Sequence, residues 1–152
     1  MNLPDPELRY ALEAAPLHDA LRRAFIQTSC FLLQRLTSGG KSLAICEPAE
    51  AARSALSEAV EGLRRLPAPA ATDRHRSHLL GAAATLERAV AIALSRGDAE
   101  GDALFRLLEE AEKHLRAASR TSLPGFEAVD FSQACCAAHA LPSPGQGLRC
   151  FG

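Results

Sequence analysis

Tryptophan is absent from this chain and tyrosine occurs once, so its core must be built from aliphatic side chains and a few phenylalanines. Lysine is almost missing as well, with only Lys41 and Lys113, and arginine supplies the remaining positive charge, a bias that reads as composition rather than chemistry. There is no excess of either sign: the net charge of −1 argues against a general nucleic-acid binder, which needs a basic face to neutralise phosphates. No run of about 18 uncharged apolar residues occurs, so by this criterion no membrane span is expected. Met1-Asn2-Leu3-Pro4-Asp5 lacks a basic region leading into an apolar stretch, which predicts no signal peptide and makes the cytoplasm the expected compartment. In a reducing compartment the five cysteines, an odd number, read as free thiols or ligands rather than a disulfide framework. β-Branched residues are also sparse, which disfavours a sheet.

What the chain has instead is alanine, leucine, arginine and glutamate, all good helix formers. Its 152 residues fit one domain able to bury its own core. Asp5-Pro6-Glu7 predicts an N-cap with proline at the first helical position, opening a short helix to about Ala15 that Pro16 restarts or kinks. Leu17, Leu21, Ala24, Phe25, Thr28, Phe31, Leu32 and Leu36 then recur at helical spacing, and Gly39-Gly40 supplies a stop. A helix after Pro48 carries Ala52, Leu56, Ala59, Val60 and Leu63 and ends at Pro67-Ala68-Pro69. Asp73 can cap a third helix running to about Arg96. Asp98 can cap a fourth, with Leu104, Leu107, Leu108, Ala111 and Leu115 as its stripe and a break from Thr121 to Gly125.

These helices are not equivalent. Ala24 to Leu33 contains no charge on any side, and Leu79 to Leu94 has only Glu87 and Arg88, so both helices need more cover than one core provides. A homodimer through helices 17–38 and 73–96 is the expected cover, with Gly81 and Ala82, Ala83 and Ala84 permitting close backbone approach; a different protein partner or the chain's own tail is the alternative.

Ser42-Leu43-Ala44-Ile45-Cys46 interrupts the helical pattern as a short apolar segment between Gly40 and Pro48. A helix, Gly-Gly-Lys and such a segment is similar to the opening of phosphosugar-binding sugar-isomerase domains over residues 25–46, which implies a phosphate loop next. Glu47-Pro48-Ala49-Glu50 stands there instead, and the segment is expected to be a connector. Gly40-Lys41-Ser42 has the closing residues of a nucleotide-binding P-loop, but Arg35 occupies the place of the first glycine and the loop would follow a helix rather than a strand.

Two clusters carry candidate chemistry. Arg74, His75, Arg76 and His78 gather at the start of the third helix, where cations are unfavourable beside the helix dipole unless an anion is held there; a solvated helix end is the plainer expectation. His78-Leu79-Leu80-Gly81 resembles the histidine phosphotransfer domains, also small helical bundles, and this resemblance implies His78 as phosphate acceptor. The spacing to glycine is one residue short, and the lysine between the two is missing. In the tail, Cys135 and Cys136 lie four and three residues before His139, so at least one thiol shares a helical face with the imidazole. With Cys150 they would make four ligands for a metal ion or a redox-active thiol pair, against the expectation that small cysteines simply pack.

The sequence thus predicts an all-α fold: an antiparallel four-helix bundle with a short N-terminal helix in residues 1–125, and an irregular C-terminal strap in residues 126–152 whose end is mobile. The expected function is a small cytosolic interaction or regulatory module, homodimeric, non-catalytic and without a resident cofactor. The alternatives are thiol-based metal or redox chemistry at Cys135, Cys136 and His139, and phosphotransfer at His78.

Overall fold

The computed structural model describes residues 5–38, 47–95 and 101–121, and among these the chain is all-α, with four α-helices and no strand. They are α1 (Pro6–Thr37), α2 (Glu47–Arg65), α3 (Asp73–Leu94) and α4 (Gly101–Arg120), with a single 3-10 turn, Ala70–Thr72, leading into α3. The segment Ser42-Leu43-Ala44-Ile45-Cys46, the strap and the tail lie outside the described residues.

Local signals set some of the helix ends, but Asp73, expected as the cap of α3, is instead its first helical residue, and Thr72 before it makes no side-chain cap hydrogen bond. Asp5 caps α1 by accepting a 3.1 Å hydrogen bond from the Glu7 backbone N–H, and Pro6 occupies the first helical position, where a missing N–H costs nothing. Pro48 falls in the first turn of α2, and that helix stops just short of Pro67.

Pro16 behaves differently from the sequence expectation. No separate N-terminal helix exists; α1 continues through Pro16 for 32 residues. Tertiary packing explains the difference, because Tyr10, Ala11 and Ala14 before the proline and His18 and Leu21 after it are all buried. Pro16 and Leu12 both lie on the exposed side, where water can satisfy the Leu12 carbonyl that the proline leaves unpaired.

Packing follows from the stripes. α1 lies along α2 and α3 along α4, with further contacts of α3 to α2 and of α1 to α3 and α4, whereas α2 and α4 do not approach one another. The core is a single cluster whose fully buried large residues include Leu21, Leu63, Leu79, Leu86 and Leu104. Alanines such as Ala24, Ala52, Ala59, Ala82, Ala89 and Ala111 are wholly buried between them, so the helices approach closely. The inner face of α1 is built from three rows, each repeating every seven residues: Tyr10, Leu17, Ala24 and Phe31; Ala11, His18, Phe25 and Leu32; and Ala14, Leu21 and Thr28. A strict seven-residue repeat belongs to a helix wound at 3.5 residues per turn and coiling left-handedly against its neighbours. Buried hydroxyls are satisfied within their own helices, Thr28 donating to the Ala24 carbonyl at 2.8 Å and Thr85 to the Gly81 carbonyl at 2.9 Å.

α3 with its preceding turn, Ala70–Leu94, is long and apolar enough to cross a membrane by length and composition. Its residues Leu79, Ala82, Ala83, Leu86, Ala89, Val90 and Ala93 are nonetheless buried against the other helices, as in a core helix.

Replacing Pro16 by alanine restores a helical hydrogen bond without disturbing the core. Pro16→Ala is expected to raise unfolding free energy by about 1–3 kcal/mol, read as a higher urea midpoint at unchanged slope. An unchanged midpoint would show that hydration fully replaces the missing bond.

Candidate functional site

The polar residues inside this alanine-rich core are few, and its two buried histidines and the tyrosine lie on the contacting helices α1 and α3. Tyr10 on α1 is 1% exposed and His75 on α3 is 8% exposed; the tyrosine hydroxyl lies 2.9 Å from His75 Nδ1. The two rings meet edge-on, with centroids 5.7 Å apart and an interplanar angle of 86°. His18, one of the inner residues of α1, is 6% exposed and reaches α4 through a hydrogen bond with the Leu115 backbone. Further along α3, His78 is half-buried and faces His114 of α4, the ring centroids 6.0 Å apart. The His114 imidazole occupies the space above Gly81, where an added Cβ would fall 2.6 Å from Cε1. Gly81 is therefore where a histidine of α4 fits against α3.

Four histidines and the only tyrosine thus link α1, α3 and α4. Burial favours the neutral forms of Tyr10, His18, His75 and His78. Burial, and then the proximity of His18 and His78, pushes His75 down to about 4 from an ordinary value of 6.5. Burial lowers His18 too, helped by Arg22 and opposed by Asp19 and by the Leu115 hydrogen bond. His78 is lowered by burial, His114 and Arg74. Burial pushes the Tyr10 hydroxyl up to about 12. Tyr10 and His75 therefore share one hydrogen between two neutral groups, donated by the hydroxyl or, in the other tautomer, by Nδ1–H.

The residues singled out in the sequence at the start of α3 separate by environment. Arg74 is exposed, His75 turns into the core, His78 meets His114, and Arg76 is half-buried and donates at 3.4 Å to the Leu63 carbonyl of α2. Of these, only His75 and His78 join the histidine group. Tyr10, His18 and His114 were not singled out by sequence reasoning. Their signal is a polar residue inside an apolar row, as with His18 between Ala11 and Phe25 and His114 between Leu107 and Ala118. Cys135, Cys136, His139 and Cys150 lie outside the described residues. Among the described residues no three histidine, cysteine, aspartate or glutamate side chains come together in a way that could hold a metal ion.

One other concavity, a groove of about 340 Å³ between α2 and α3, is lined by Arg53, Arg64, Glu61 and Glu87 around Leu56 and Val90. Its balanced charges favour neither an anion nor a cation. No protein-family model, curated protein or solved structure matches this chain.

Because the folded His75 resists protonation, stability depends on pH with a definite sign. Above about pH 6.5 the imidazole is neutral in both states; below it the unfolded chain takes up the proton first. Stability is therefore expected to fall between about pH 6.5 and 4 by about 3 kcal/mol from His75 and to level off below. His75→Gln should show a shallower fall over this window in urea titrations at fixed pH steps. Parallel curves for the two proteins would contradict the assignment.

Proposed function

We propose that this chain is an antiparallel four-helix bundle acting as a cytosolic, non-catalytic interaction or regulatory module that associates as a homodimer. Connection lengths support the antiparallel order. Seven residues join α2 to α3 and six join α3 to α4, spanning at most about 25 Å and 22 Å, too little to run back along helices about 30 Å long. Each consecutive pair is in contact, so each helix must return beside the one before it.

The single observation that carries the interaction reading is the outer face of α1. Ile26, Leu33 and Leu36 are 52%, 60% and 65% exposed, on the side away from buried Ala24, Thr28 and Phe31, in a stretch that has no charge from Ala24 to Gln34. An aliphatic row left in water on a helix whose opposite side already holds a core is the mark of a surface completed by association. α3 offers much less. Leu80 is its one large exposed apolar residue, at 39%, and Glu87 and Arg88 share its outer side, so the interface is assigned mainly to α1. Exposed free Cys30 on the same helix suits a reducing compartment.

Light scattering and sedimentation over a wide concentration range test this reading. Wild-type protein is expected at twice the chain mass, dissociating on dilution. Ile26→Glu and Leu33→Glu should each weaken association at least tenfold while leaving helicity unchanged, since neither residue contributes to the core. Wild-type protein at the chain mass throughout would refute the homodimer.

A further inference from the structure

The outer face of α1 is longer than its uncharged part. It continues toward the N-terminus through Leu8 and Leu12, 39% and 60% exposed, and exposed Ala15. Together with Ile26, half-buried Ser29, Leu33 and Leu36 these residues fall on a seam of alternating four- and three-residue steps, the a and d positions of a heptad; the Ser29 hydroxyl is satisfied within the helix, donating to the Phe25 carbonyl at 2.8 Å. The inner rows of α1 recur every seven residues as well, so winding the helix to suit its own core keeps the outer seam straight. Asp19 and Arg22 occupy the middle of the seam. Their side chains are 56% and 32% exposed, and they lie 3.9 Å apart within the helix.

We infer that α1 pairs with α1 of a second copy in antiparallel orientation, with Asp19 of each chain facing Arg22 of the other. This rests on the homodimer reading above and gives it a register. In an antiparallel pair, a positions of one helix pack against d positions of the other. A two-fold axis crossing α1 between Ala20 and Leu21 sets Leu33 on Leu8, Ile26 on Ala15 and Ser29 on Leu12 of the second copy, and leaves Leu36 beyond the paired stretch, opposite Asp5. The same operation brings Asp19 to Arg22 twice, once on each side of the axis. Arg9 and Arg23, on one flank of the seam, then fall nearest Cys30 and Pro16 of the second copy, so neither meets a like charge.

Charge complementarity selects this occupant. The seam has one acid and one base at its centre and no other charge, a pattern that its own reverse complements and that its parallel copy does not. Parallel pairing would place Asp19 on Asp19 and Arg22 on Arg22, with like charges directly apposed. Two charged residues at the middle of a seam whose one other polar member is Ser29 fix orientation and register, as buried polar positions do in coiled coils, at some expense of affinity.

A charge swap in the full chain tests the register, with sedimentation velocity as readout and circular dichroism confirming that each variant is folded. Asp19→Arg and Arg22→Asp should each weaken the dimer at least tenfold, because each makes the central pairs alike in sign. The double variant Asp19→Arg/Arg22→Asp should recover to within about threefold of wild type, and an equimolar mixture of the two single variants should form a heterodimer. Single variants that dimerise as wild type does would overturn the inference and leave the homodimer standing on another surface. Single variants that dissociate without rescue in the double variant would overturn the antiparallel register. Wild-type protein that is monomeric, its seam covered by residues 122–152 or reserved for another protein, would overturn both this inference and the reading beneath it.

Discussion

α1 is apolar on two opposite sides, and one bundle can bury only one of them. Tyr10, Ala14, Leu21, Ala24, Thr28 and Phe31 go inward, and this leaves Leu12, Ile26, Leu33 and Leu36 more than half exposed. Rotating the helix to cover the outer row would bring the inner row into water instead, so repacking among the four helices does not remove the conflict. The other helices adapt to this arrangement. α2 and α4 carry charged outer faces and strong stripes, and α3 fills the space between them with alanine and leucine. Burying both sides of α1 requires more protein than these four helices provide, and the proposed function follows from that requirement.

The alanine-rich packing also accounts for the histidines. Where helices approach closely through small residues, a large polar ring fits only where a glycine or an alanine leaves room, as Gly81 does for His114. Tyr10 and His75 satisfy one another across the α1–α3 contact, and a buried hydrogen bond of this kind specifies one docking of the helices where an alanine surface tolerates several. The histidine group is thus read as a specificity device for the bundle. Burial is enough to favour the neutral forms of Tyr10 and His75.

Local chemistry made the helices legible in the sequence: Asp5-Pro6 at the start of α1, Pro48 and Pro67 around α2, and the stripes of α2 and α4 were all visible. Pro16 was overread, because a proline signals a break only if nothing on either side holds the helix together, and here buried residues flank it. The uncharged runs of α1 and α3 looked alike as sequence. They differ in the structure because α3 contacts all three other helices, which absorb most of its apolar surface, whereas the outer row of α1 faces none of them. The histidine group was only half legible, since His75 and His78 are neighbours in sequence while Tyr10, His18 and His114 reach them through long-range packing. Cys135, Cys136 and His139 drew attention by sequence spacing, the one kind of signal that packing does not inform.

The same distinction bears on Asp19 and Arg22. In sequence they are an ordinary i, i+3 ion pair on a helix surface, which is worth little by itself. Their position acquires meaning only from the rows on either side, because a charge in the middle of an aliphatic seam is a cost that a surface without partners has no reason to carry or to balance. In the proposed pair that balance makes the centre of the seam self-complementary under reversal, and Leu8 and Ala15 then cover Leu33 and Ile26 of the second copy. In the proposed pair, the two-fold rotation that covers most of the outer row of α1 also brings each central charge beside one of opposite sign.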